Sequence, residues 1–187
     1  NFSHNGTTPS DLLNFSDLDG FGNNNLTKEL DDLGIVIDWA EKELSGRVKF
    51  TDLILMGHSR GGGISILKAN EDYRVKKVVS WASVCDFESR MPKEKDHVWK
   101  DRGVAYVYNG RTKQQMPIYY QFREDFYKNK QRLDIPKAIK KLTTPLLVVH
   151  GDEDRTVDLI DAHHLAKNAQ YSDLFIVEGA DHVFNVK

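Results

Sequence analysis

The chain has 187 residues, 40% of them hydrophobic and 29% charged, with a formal net charge of -2. That length suits one domain with a core of its own, and the composition is that of a globular rather than a disordered chain. A near-neutral balance speaks against a dedicated nucleic-acid binder, and no apolar run approaches the roughly 20 residues that cross a bilayer.

Residues 1–25 read as loop, because Gly6, Pro9, Gly20, Gly22 and the asparagines Asn23, Asn24 and Asn25 interrupt any periodicity. Asn1, Asn5, Asn14 and Asn25 each open an Asn-x-Ser/Thr pattern, in a segment simply rich in those residue types. The polar start has no apolar block of the kind a signal peptide needs. Leu26, Leu30, Leu33, Ile37 and Leu44 then recur at helical spacing and predict an amphipathic helix ending near Gly46. A short strand is expected over 51–56, a second helix from Ile64 to about Asn70, and further strands over 77–84, 142–150 and 173–178. Short apolar strands separated by helical patterns indicate βαβ units and a mostly parallel sheet flanked by helices, an α/β fold.

The stretch 86–141 differs in character. It holds nine of the 19 aromatic residues and 14 Lys/Arg against 8 Asp/Glu, a balance of +6 in a chain of net charge -2. An insertion of that size reads as a cap or lid with helices of its own within a single 1–187 domain. Its aromatics suit either an apolar acyl pocket or the cap's own core. Cys85, the one cysteine, excludes an intrachain disulfide and a cysteine-type zinc site. It is expected to be buried in the run before the insertion, and a cytoplasmic location is the default.

Gly57-His58-Ser59-Arg60-Gly61 stands directly after one predicted strand and before one predicted helix. This is the G-x-S-x-G elbow in its required context. A serine on so tight a turn calls for small residues two positions before and two after. The turn raises the Ser59 hydroxyl above the sheet edge and sets the Arg60 backbone N–H at a helix start, where it can stabilise an oxyanion. The serine needs a base, and the base an orienting acid, in the chain order Ser, Asp/Glu, His. His150-Gly151-Asp152-Glu153-Asp154 follows one strand and Gly179-Ala180-Asp181-His182 the next. His182 is therefore the candidate base and Asp154 the candidate acid, with Asp86 and Asp152 as alternatives.

With Val183-Phe184 after His182, these three motifs resemble the α/β-hydrolase fold superfamily, in particular bacterial hydrolases of the prolyl-oligopeptidase, dienelactone-hydrolase and serine-aminopeptidase-like type. In such families the His-Gly-x-x-Asp box ends on the catalytic acid, which supports Asp154. The resemblance implies a serine hydrolase that needs no cofactor and no metal. It also implies further strands ahead of residue 1, an upstream loop giving a second oxyanion N–H, and a helix beyond His182. The sequence is accordingly expected to be part of a longer chain. A carboxylic-ester hydrolase acting on small or medium acyl esters is the first functional expectation. A peptidase of the aminopeptidase or acylaminoacyl type, using the same residues on short peptides, is the second, and a non-catalytic binding module retaining the fold the third.

Overall fold

The computed structural model describes residues 3–11, 14–44, 46 and 52–185. The elements in chain order are α1 (Leu18–Gly22), α2 (Leu26–Leu44), β1 (Leu53–His58), α3 (Arg60–Glu71), β2 (Val75–Trp81), a 3-10 turn (Glu88–Arg90), α4 (Asp96–Arg102), β3 (Val104–Asn109), β4 (Gln114–Tyr119), α5 (Gln121–Lys128), α6 (Ile135–Lys141), β5 (Leu146–Gly151), α7 (Leu159–Asn168) and β6 (Ser172–Val177). They group into two compact units, Asn1–Ile35 with Arg90–Leu133 and Val36–Ser89 with Asp134–Lys187.

The second unit holds a four-stranded sheet in the order β1-β2-β5-β6, every pair parallel. Helix α3 packs on β1 and β2 with α6 beside it, and α7 packs on β5 and β6. The run from Gly62 to Ala69 is buried throughout. Glycines let α3 lie this close: a Cβ on Gly62 would meet Ser83 Oγ at 2.4 Å. Ile64, Ile66, Val78, Ile135, Ile139, Val148 and Leu165 fill the core. Full burial of each such side chain contributes about 1.5–3 kcal/mol. Helices α6 and α7 start where aspartates cap them, Asp134 accepting from Lys137 N and Asp158 from Ile160 N.

Arg74, in the turn before β2, binds three carboxylates of this unit: Asp72, Asp38 and Glu41, each at 2.6 Å. The bonds to Asp38 and Glu41 join α2's C-terminal part to the α3–β2 connection. The side-chain bond from Arg74 holds the Asp72 carboxyl below the usual carboxylate range, against the opposing effect of burial. A carboxyl with a depressed folded pKa stabilises the fold above its unfolded value, near about pH 4, and that stability is lost as pH falls through the lower folded value. Arg74→Ala should cost about 1–3 kcal/mol, measured by denaturant unfolding at neutral pH. The gap between parent and variant should narrow when the titration is repeated below about pH 3.

In the first unit, β3 and β4 form an antiparallel hairpin with Val104 opposite Tyr119 and Asn109 opposite Gln114. Residues of the opening segment belong to the same unit. Asn25 Nδ2 donates to Gln121 Oε1 (2.8 Å), Thr27 Oγ1 to Asp125 Oδ2 (2.8 Å) and Tyr119 Oη to Asp19 Oδ1 (2.8 Å). Trp99 is buried and donates from Nε1 to Ile118 O at 3.0 Å.

Several sequence expectations shift. The stretch 86–141 contains a two-stranded sheet as well as helices, and residues 18–22 are helical rather than loop. Thr51, expected to begin a strand, lies outside the described residues. The strand expected to reach residue 84 ends at Trp81, because Ala82 takes a positive φ of 45° and turns the chain. Cys85 therefore lies past the strand and is half-buried rather than buried, its N–H donating to Asp161 Oδ2 at 3.2 Å. No helix of the described residues is long and apolar enough to cross a membrane.

Candidate active site

Ser59 occupies the turn between β1 and α3 at φ 56° and ψ -122°. A non-glycine residue in that region stores about 1–3 kcal/mol of strain and persists only where its surroundings enforce it. Two backbone bonds do so here. Ser59 N–H donates to Trp81 O (2.8 Å), and Ser59 C=O accepts from Gly62 N–H (3.0 Å). Arg60 follows as the first residue of α3.

The spacing of the motif has a physical cause, and it is not quite the expected one. A Cβ on Gly57 would lie 2.1 Å from Gly61 O and 2.6 Å from Gly62 N, so only hydrogen fits there. A Cβ on Gly61 would meet nothing within 4 Å. The close approach is thus made by the backbone at 61–62 against the bare α-carbon of Gly57. Smallness two positions after the serine is not required by contact; it is required at Gly62, against Ser83.

His182 lies in the loop after β6, with 18% of its side chain exposed, and its Nδ1 stands 2.8 Å from Asp154 Oδ2. A carboxylate can only accept, so Nδ1 carries the hydrogen and the neutral ring keeps its lone pair on Nε2. Asp154 is fully buried. Its other oxygen, Oδ1, accepts from Thr156 N–H (2.8 Å) and Val157 N–H (2.9 Å). Burial pushes the Asp154 carboxyl up, but the Val157 N–H, His182 and the Thr156 N–H outweigh it and hold it below the ordinary value. It is a carboxylate at neutral pH.

His150, also fully buried, donates from Nε2 to Val157 O at 3.0 Å and sits 3.3 Å from Asp154 Oδ2. Its contact with Asp154 is not among the sequence expectations. The signal available is its place at the end of an apolar strand, four residues ahead of Asp154. The two alternative acids are engaged elsewhere: Asp152 Oδ1 accepts from Gly179 N–H (2.7 Å), and Asp86 from Glu88 and Ser89 N–H. Among the described residues, Ser59 Oγ makes no hydrogen bond to His182. Bonds of this kind commonly tighten only when substrate arrives. No group of three or more His, Cys, Asp or Glu side chains among the described residues could hold a metal ion.

The loop bearing His182 reaches over the strand ends through tight backbone contacts. A Cβ on Gly151 would meet Ala180 O at 2.1 Å, and Glu153 N–H donates to Ala180 O at 3.0 Å. Trp81, ending β2, stacks edge-on with Phe184 at 4.6 Å between ring centroids. Both Ser59 and the Asp154–His182 pair therefore sit at the carboxyl ends of parallel strands in one unit, the edge at which open α/β sheets bind ligands.

The model of the prolyl oligopeptidase family matches residues 19–187. The chain belongs to the prolyl oligopeptidase family. Solved structures similar to it share the α/β-hydrolase fold of this family member. One is the esterase domain of a Rhodothermus marinus protein, 26% identical with a TM-score of 0.60, covering 89% of this chain and 63% of that one. Another is Est1E of Butyrivibrio proteoclasticus with ferulic acid bound, 20% identical with a TM-score of 0.69, covering 89% and 64%. A monoacylglycerol lipase of Paleococcus ferrophilus is 17% identical with a TM-score of 0.61, covering 86% and 68%. The chain thus spans under two thirds of the first two structures. No curated protein matches.

Proposed function

We propose that the protein is a serine hydrolase in which Ser59 is the nucleophile, His182 the general base and Asp154 its orienting acid, and that it cleaves carboxylic esters. The observation that carries this reading is a strained serine at one strand end, with an imidazole at another whose Nδ1 is bound to Asp154 Oδ2. His182 Nε2 takes the Ser59 proton as Oγ bonds to the ester carbonyl carbon. Arg60 N–H stabilises the oxyanion, the imidazolium returns the proton to the departing alcohol, and water deprotonated by His182 then releases the acid from the acyl-enzyme. Asp154 remains ionised and keeps the ring in one tautomer. The esterase domain at 26% identity supports the ester preference.

A second reading, a peptidase on the same residues, is favoured by the family itself. Both are tested by turnover of p-nitrophenyl acyl esters against aminoacyl-p-nitroanilides. Ester turnover without anilide turnover is the expected outcome. Anilide kcat/KM within about tenfold of the ester value would assign a peptidase, since one order of magnitude is only 1.36 kcal/mol of barrier.

A further inference from the structure

His58 is the one histidine adjoining the nucleophile, and the mechanism above leaves it unused. Its Nε2 lies 2.8 Å from the backbone oxygen of His182, and the two rings are 4.7 Å apart between centroids. Strands β1 and β6 are the two outer strands of the four-stranded sheet, separated by β2 and β5. At about 4.8 Å per strand they stand about 14 Å apart. The loop after β6 crosses this distance through a series of contacts: Ala180 on Gly151 at β5, Phe184 on Trp81 at β2, and finally His182 O on His58 at β1. The last of these ties the base to the residue directly before Ser59.

We propose that His58 is a positioning residue that fixes the His182 loop against the serine elbow through an Nε2–H···O=C bond. The inference rests on the assignment of Ser59 and His182 above. A carbonyl oxygen only accepts, so the bond commits His58 to the form bearing hydrogen on Nε2. Asp154 sets the tautomer and tilt of the His182 ring. It does so from the turn after β5, while Ala180 and Phe184 hold the loop at β5 and β2. His58 supplies the point of attachment on the element that carries the nucleophile. Glutamine places an N–H near the imidazole Nε2 position, whereas alanine removes the donor.

The test uses His58→Ala and His58→Gln beside the parent, with two readouts. The first is imidazole 15N NMR of the parent, where His58 should show hydrogen on Nε2; hydrogen on Nδ1 alone overturns the proposal. The second is the rate of fluorophosphonate labelling at Ser59, with kcat and KM on an ester. His58→Ala should slow labelling and lower kcat by about 10- to 100-fold with KM unchanged, the scale expected for misplacement of a catalytic group by about 1 Å. His58→Gln should recover most of the loss. His58→Phe, which keeps ring volume without the donor, is read in the same way if the alanine variant fails to fold. Equal rates in parent and donor-less variants overturn the role of His58 while leaving the Ser59 assignment intact. A folded parent that does not label at Ser59 overturns both.

Discussion

Ser59→Ala and His182→Ala should each lower kcat for ester hydrolysis by about 10^6-fold, and Asp154→Asn by about 10^4-fold. The three substitutions act on one unit, so the double variants should be little worse than the singles. The asparagine variant is the informative one. It retains the Oδ1 acceptor for the Thr156 and Val157 N–H groups, so the 154–157 turn is kept. An amide NH2 in place of Oδ2 would face His182 Nδ1 and force the ring to move its hydrogen to Nε2, which then cannot accept the serine proton. Single-turnover kinetics with near-UV circular dichroism check this: activity should fall while the fold signal stays. A loss below about tenfold for Asp154→Asn would remove Asp154 from the role given to it.

Gly57→Ala should be the most damaging single-methyl addition at the elbow, and Gly61→Ala nearly harmless. At Gly57 the new methyl meets only backbone, Gly61 O and Gly62 N, so no side chain can turn aside to admit it. The cost is about 3 kcal/mol or more, a drop of about 6–12 °C in melting temperature for a chain of this size. At Gly61 the methyl enters open space inside α3, where alanine is favoured over glycine by about 0.5–1 kcal/mol. Thermal unfolding of the two variants side by side gives the answer, with opposite signs expected. Similar destabilisation of both would mean that the turn tolerates no added atom at either end, contrary to the contacts described.

Elements with a strong local signature were legible in the sequence. The helix expected from Leu26 is α2, from Leu26 to Leu44, because its apolar residues recur at one period over five turns. The four strands of the parallel sheet match the expected ones to within a few residues, the end of β2 displaced by the turn at Ala82. The hairpin β3–β4 was missed although Val104, Tyr106 and Tyr108 alternate ahead of Asn109-Gly110, a recognisable strand-and-turn signal. Its aromatics suit a helical core or a pocket equally well. The grouping of the opening segment with 90–133 could not be read locally, since it depends on pairs about 100 positions apart, such as Asn25 with Gln121.

At the site, chain order and strand ends single out Ser59 and His182 as candidates, and the His-Gly-x-x-Asp box favours Asp154. What chain order could not convey was which aspartate meets the histidine. That is a matter of loop geometry, in which Asp152 turns to Gly179 N–H and Asp154 to His182. The buried His150 beside Asp154 and the reach of His58 to His182 O were equally invisible, because each pairs groups that are unremarkable in isolation.

The most direct test of the assignment is fluorophosphonate labelling of the folded protein, with the modified peptide mapped by mass spectrometry. One adduct on Ser59, absent from Ser59→Ala and from His182→Ala, is the predicted result. An adduct on another serine, or labelling of Ser59 that survives loss of His182, would contradict it.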